Sequence, residues 1–221
     1  MIPSSLRQRW LVIMLAGATL VSATLGIRQV FGLFLQPISM ELGAGFQLFS
    51  LAIAIQNLVW GLSSPVFGAA ADRYGPWRVA AMGALLYGGG LFLMASFVTD
   101  VGIFIGQILI GLGLGSAGIS IAIGAVARAA PPEKRSLAMG LVTSFGSFGQ
   151  FVLVPVTQIL MVQGGWQFAL LMLSVIMVSM VAVAMCLRTP AGVTRPIEGP
   201  ILTISATLQQ AVGSRDYILL T

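Results

Sequence analysis

Histidine is absent from this chain, cysteine occurs once, at Cys186, and only six acids stand against eleven lysines and arginines. With no imidazole and one thiol, no zinc-type ligand spacing can be assembled, and an intrachain disulfide is excluded. Cys186 sits in an apolar run and reads as a packing or lipid-facing residue. Charge of either sign is scarce: 8% of residues are charged and 57% hydrophobic, against roughly 25% charged in soluble domains. Water is not the solvent for such a surface. The net charge of +5 does not indicate nucleic acid, because the basic residues fall in ones and twos between apolar runs, with no basic stripe or interleaved stacking aromatics. The 27 glycines follow neither a collagen period nor a phosphate loop. They suit helices that approach closely in a membrane. No metal, cofactor or catalytic constellation is implied.

What is present is a series of six apolar stretches, each long enough for the roughly 20 helical residues that cross a bilayer core. We place them at 10–35, 46–70, 77–98, 102–127, 137–162 and 166–187. Turn-formers separate them: Gly43-Ala44-Gly45, Tyr74-Gly75-Pro76, Thr99-Asp100, Ala130-Pro131-Pro132-Glu133 and Gln163-Gly164-Gly165. Connections this short make consecutive spans antiparallel neighbours. Arg7 and Arg9 ahead of Val21-Ser22-Ala23 imitate a signal peptide, but the apolar run continues to Leu35, well past an h-region of about 7–15 residues. Beyond Leu187 the chain turns polar, so 188–216 is expected to be a linker and 217–221 the first residues of a truncated seventh span.

Threading six spans puts Arg7, Arg9, Arg73, Arg78, Arg128, Lys134, Arg135, Arg188, Arg195 and Arg215 on one side, and only Glu41 and Asp100 on the other. Basic loops stay cytoplasmic, so both termini are expected there, in the cell (inner) membrane. Trp10, Trp77 and Trp166 lie at span ends as interfacial aromatics should, whereas Trp60 is mid-span, where bundle packing is the plain reading. Pro65 and Gly75 recur ninety residues later as Pro155 and Gly165. That spacing relates spans 1–3 to 4–6 with opposite orientation, an inverted repeat. Coincidence between two proline-containing helices is the alternative. The expected fold is therefore an all-α membrane protein, a six-helix transmembrane bundle of two inverted three-helix repeats.

Between spans two and three stands Gly68-Ala-Ala-Ala-Asp72-Arg73-Tyr74-Gly75-Pro76-Trp77-Arg78. This resembles the loop signature of the major facilitator superfamily, in which Gly, three residues, Asp-Arg, one residue and Gly precede basic residues. The resemblance implies that the chain is the N-terminal half of a twelve-helix transporter and that Gly68, Asp72, Arg73, Gly75 and Arg78 form a conformational latch. Gly68 would pack against a helix of the second half, Asp72 would face that helix's positive end, and Arg73 and Arg78 would form charge pairs. Trp77 stands where that loop is often basic, which thins the network. A bare positive-inside turn would explain the arginines but not Asp72 or the Gly68 spacing. Gly26-Ile-Arg28-Gln-Val-Phe-Gly-Leu-Phe-Leu-Gln-Pro37, Pro131-Pro-Glu-Lys-Arg135 and Gly165-Trp166 resemble monocarboxylate-transporter-like members of that superfamily.

Arg28 is the one charge well inside an apolar stretch, which costs at least ~2.5 kcal/mol unless it faces protein or water. A substrate carboxylate would complement its guanidinium bidentately. Outward snorkelling is the rival reading, since the outer end of the span is about eight residues, roughly 12 Å, further along the helix. Spans 1, 2, 4 and 5 carry most of the polar residues, among them Thr24, Gln29, Gln56, Asn57, Gln107 and Gln150. In a facilitator-type bundle they would surround the cavity, leaving spans 3 and 6 to lipid, although any single amide serves equally as interhelical glue. Arg28, Gln29, Asn57 and Gln150 are taken as substrate-binding.

The function expected is secondary active transport of a small organic anion, monocarboxylate-like, by alternating access. The partners are that anion, the lipid bilayer and a second six-helix half. An enzyme is not indicated. The alternatives are an efflux or sugar carrier of the same superfamily, or a truncated membrane protein that transports nothing.

Overall fold

The computed structural model describes residues 4–43 and 45–188, with side chains from Trp10 onward. Beyond Arg188, the expected linker and seventh-span start lie outside the described residues. Those described are helical, without a strand among them: α1 (Ser4–Gln29), α2 (Phe31–Leu42), α3 (Gly45–Tyr74), α4 (Pro76–Ser96), α5 (Asp100–Ala117), α6 (Ile119–Ala129), a 3-10 turn at Pro132–Lys134, and α7 (Arg135–Met185).

Local chemistry sets the boundaries. Gly43 ends α2 in the left-handed conformation (φ 62°) and returns its N–H to the Met40 carbonyl. Pro76 opens α4 at the first helical position, where its missing N–H is no loss. The Thr99 hydroxyl caps α5 by accepting the Gly102 N–H at 3.1 Å. Two expected spans are interrupted. The first breaks at Val30, between α1 and α2, and runs on to Leu42 instead of stopping at Leu35. The fourth breaks at Gly118, whose extended backbone separates α5 from α6.

α7 holds 51 residues, about 76 Å at 1.5 Å per residue, more than twice the ~30 Å of a bilayer core. It is divided at Gly165, where φ 81° and ψ 175° are not helical. Only glycine takes that conformation without a Cβ penalty. Its first part packs on α1 and its second on α4. Ser22 Oγ donates to the Phe145 carbonyl, and Ser174 Oγ donates to the Gly88 carbonyl at 2.8 Å. By length and composition five helical stretches can cross a membrane, and the last of them, Pro132–Met185, is the one that Gly165 divides.

Contacts give the relative directions. Along α1 and α7, Gly26 meets Gly149 and Leu153, and Gly146 meets Val21 and Leu25, so the first and fifth apolar segments run parallel. Gly111 lies on Gln56 and Gly115 on Ser63, so α3 and α5 run parallel too. Gly90 meets Ile110 while Gly113 meets Tyr87, so α4 and α5 are antiparallel. At one end Trp166 Nε1 donates to Glu41 at 2.8 Å and Gln167 Nε2 donates to the same carboxylate, joining the end of α2 to the start of the segment after Gly165.

The close approaches depend on missing side chains. A Cβ on Gly26 would stand 2.7 Å from the Gly149 carbonyl oxygen, and one on Gly149 would overlap the Ser22 backbone. Tyr87, fully buried, donates its hydroxyl to the Thr24 carbonyl at 3.1 Å and ties α4 to α1. Large apolar side chains such as Leu58, Leu62, Phe92, Phe151 and Val175 remain exposed around this interior. Inward and outward apolarity together are what a bundle in lipid requires, since its outer face has no water to satisfy.

Candidate functional site

Arg28 is next to last in α1, two residues before the break at Val30. Because the helix continues beyond its expected end, Leu42 lies fourteen positions further on, about 21 Å along a helix axis rather than 12 Å. The side chain does not run outward along that axis. It turns sideways to α3, where Nη2 donates to Asn57 Oδ1 at 2.9 Å and Cζ stands 5.1 Å from the centroid of the Trp60 ring. Asn57 and Trp60 are three residues apart and share one helix face. The Asn57 amide has only one sensible orientation, because its nitrogen donates to the Ile53 carbonyl at 2.9 Å and a guanidinium accepts nothing. Arg28 Nε is buried without a partner among the described residues, a donor still open to an acceptor.

Gln29 and Gln150 lie on a different side of α1. With Ser147, Phe151, Val154 and Pro155 they line an open groove of about 500 Å³ between α1 and the part of α7 before Gly165. The four expected substrate residues thus fall into two groups: Arg28 with Asn57, and Gln29 with Gln150. Trp60 belongs to the first group, and sequence reasoning set it aside as packing. Its spacing from Asn57 was the available signal.

The remaining polar residues of these helices divide by burial. Thr24, Gln56, Gln107 and Ser116 are buried inside the bundle, with Gln56 where α3 crosses α5 at Gly111. Thr143 and Ser144 are exposed and bond back to carbonyls four residues earlier.

The loop after α3 finds partners within this chain. Asp72 Oδ1 accepts from Arg128 Nη1 at 2.8 Å, across to the last turn of α6. Arg73 and Arg78 make no ion pair among the described residues. They lie over aromatic rings, Arg73 5.4 Å from the Tyr74 centroid and Arg78 5.2 Å from that of Trp77. Arg188 approaches Trp77 as well, at 5.7 Å. The indole in place of a basic residue therefore gathers cations instead of extending the charge network. Gly75 takes φ 92°, and a Cβ on Gly68 would meet nothing within 4 Å, so that face of α3 is open.

A family model described as Major Facilitator Superfamily matches residues 8–215. Monocarboxylate transporter 13 of Bos taurus is 28% identical over 207 residues, which cover 89% of this chain and 46% of the relative. Monocarboxylate transporter 13 of Rattus norvegicus is 29% identical over 208 residues, with the same two coverages of 89% and 46%. The chain spans about half the length of the curated relatives it matches. With the family model covering almost the whole sequence, and helices long and apolar enough to cross a membrane, the chain belongs to the major facilitator superfamily of multi-pass membrane transporters.

Proposed function

We propose that this chain is the N-terminal half of a transporter that moves a small organic anion, monocarboxylate-like, by rocking against a second six-helix half. The observation that carries the reading is Arg28, a guanidinium turned sideways between α1 and α3, with a buried Nε that has no hydrogen-bond partner among the described residues. Neutralising such a charge in a bilayer calls for an anion, and a carboxylate matches its paired N–H groups. Gln29 and Gln150, in the groove on the other side of α1, are assigned to the substrate path as neutral polar groups, and Asn57 belongs to the site through Arg28. The relatives' name, monocarboxylate transporter, agrees with this substrate class.

Two further elements belong to the proposal. Spans 1–3 and 4–6 are inverted repeats offset by ninety residues. Gly75 and Gly165 are both left-handed at φ 92° and 81°, Pro65 and Pro155 both lie within helices, and the Val30 and Gly118 breaks fall close to the same offset. The basic loops lie in the cytoplasm, with Gly68, Asp72, Arg73, Gly75 and Arg78 as the latch against the second half.

Uptake of lactate, pyruvate and oxalate by the full-length protein in proteoliposomes tests the substrate claim. Arg28→Lys keeps the charge but not the planar fork and weakens uptake, while Arg28→Gln nearly abolishes it, at unchanged expression. Parent-level uptake of every anion by Arg28→Gln ends the proposal.

A further inference from the structure

The Arg28 guanidinium is held on two sides before any ligand arrives. Nη2 is fixed to Asn57 Oδ1 at 2.9 Å, and the indole of Trp60 lies against it, 5.1 Å from Cζ to ring centroid. Asn57 is itself fixed, its nitrogen drawn back to the Ile53 carbonyl at 2.9 Å, so its oxygen stays aimed at Arg28. Both residues come from one face of α3, while Arg28 comes from the last turn of α1, two residues before the Val30 break. Nε remains buried and unpartnered among the described residues.

We infer that Asn57 and Trp60 are positioning residues, a seat that fixes the plane of the Arg28 guanidinium so that a carboxylate meets a preset fork; the inference rests on Arg28 being the anion's partner. An arginine carries several rotatable bonds, and an unseated one samples many directions in which its N–H groups miss the substrate. Holding one nitrogen and setting an indole against the cation removes much of that freedom in advance, which lowers the entropic cost of binding. The amide is suited to this task because it accepts without carrying charge. An aspartate there would neutralise Arg28 and compete with the substrate. The indole is suited because it attracts the cation over the ring while leaving the in-plane N–H edge free. Trp60 thus acquires a reason for its mid-span position, and Asn57 acts on the substrate through Arg28 rather than by touching it.

The test is a double-mutant cycle in the full-length protein, reconstituted in proteoliposomes, with uptake kinetics for whichever of lactate, pyruvate and oxalate the parent moves fastest. Asn57→Ala and Trp60→Leu should each raise KM about tenfold, as for loss of a hydrogen bond to a charged group, with kcat within about twofold of the parent. Trp60→Phe, which keeps an aromatic face, should recover most of the loss. In an Arg28→Lys background, which has no plane to seat, each substitution should change KM less than about twofold, because residues acting through a common partner are not additive. Full-sized effects of Asn57→Ala and Trp60→Leu in that background overturn the seat, as does an unchanged KM in the parent background while Arg28→Lys alone is impaired. If Asn57→Ala does not insert, the Trp60 pair decides the question. Parent-level uptake by Arg28→Gln instead overturns the anion-partner reading, whatever Asn57 and Trp60 do.

Discussion

Asp72 and Arg128 are joined by a 2.8 Å ion pair between the last turn of α3 and the last turn of α6. Their segments run parallel, so the pair fastens two helix ends at the same membrane face and within this chain. Asp72 nevertheless keeps 62% of its side chain exposed. An ion pair so exposed contributes about 0–1 kcal/mol, too little to make it a mainstay of the fold.

That weakness separates stability from state preference. Asp72→Asn in the full-length protein is expected to leave thermal stability within about 1 kcal/mol of the parent. If Asp72 is part of the latch, the same variant shifts the resting population toward the inward-facing state and slows transport, because only state-specific contacts are lost. Thiol accessibility of the cavity on each side measures the population. Equal accessibility in variant and parent removes the latch role.

A second prediction concerns sidedness. Cys186 is exposed and is first replaced by Ser. Single cysteines at Gly43 and Gly164 should then react with an impermeant reagent from outside, and one at Lys134 should not, following the ten-to-none division of basic residues between the loops. The reverse labelling pattern would overturn the orientation.

Two glycines make a matched pair for packing. Gly149→Ala sets a methyl group against the Ser22 backbone, whereas Gly68→Ala points one into open space. The first should destabilise the protein by about 1–3 kcal/mol, the usual penalty for overpacking, and the second should leave the melting of this half unchanged. Fluorescence-detected size-exclusion chromatography after heating gives both values. Equal melting of the two variants would mean that α1 and α7 do not approach as closely as described.

The reversal at Gly165 offers a fourth test. At φ 81° and ψ 175°, a region essentially reserved for glycine, an alanine is strained by roughly 1–3 kcal/mol. Gly165→Ala should lower thermal stability by that order, and Gly75→Ala, at φ 92°, by a similar amount. No loss in either variant would show that the backbone there relaxes freely.

The membrane-embedded helical character was legible because a bilayer demands long apolar runs, and glycine- and proline-rich turns punctuate them. The interruptions were not. Val30 is an apolar β-branched residue with no breaker beside it, and Gly118 is one of many glycines in its span. The loop motif named Asp72 and its arginines, but the partner, Arg128, is 56 residues away and is chosen by the parallel packing of helices, which no local pattern encodes. Arg28 stood out as a solitary charge, yet its depth depended on where the helix ended, and its orientation on a tryptophan that looked like ordinary packing. Gln56 and Gln107 show the converse: their amide chemistry suggested a cavity lining, and burial places both inside the bundle.

The clasp of Trp166 and Gln167 on Glu41 joins residues about 125 positions apart. During synthesis Glu41 is placed at the end of the first crossing, and its donors do not exist until the chain has crossed four more times. The clasp at that membrane face therefore forms only after the fifth crossing, and a nascent chain halted before Trp166 carries a carboxylate that still awaits both of its donors.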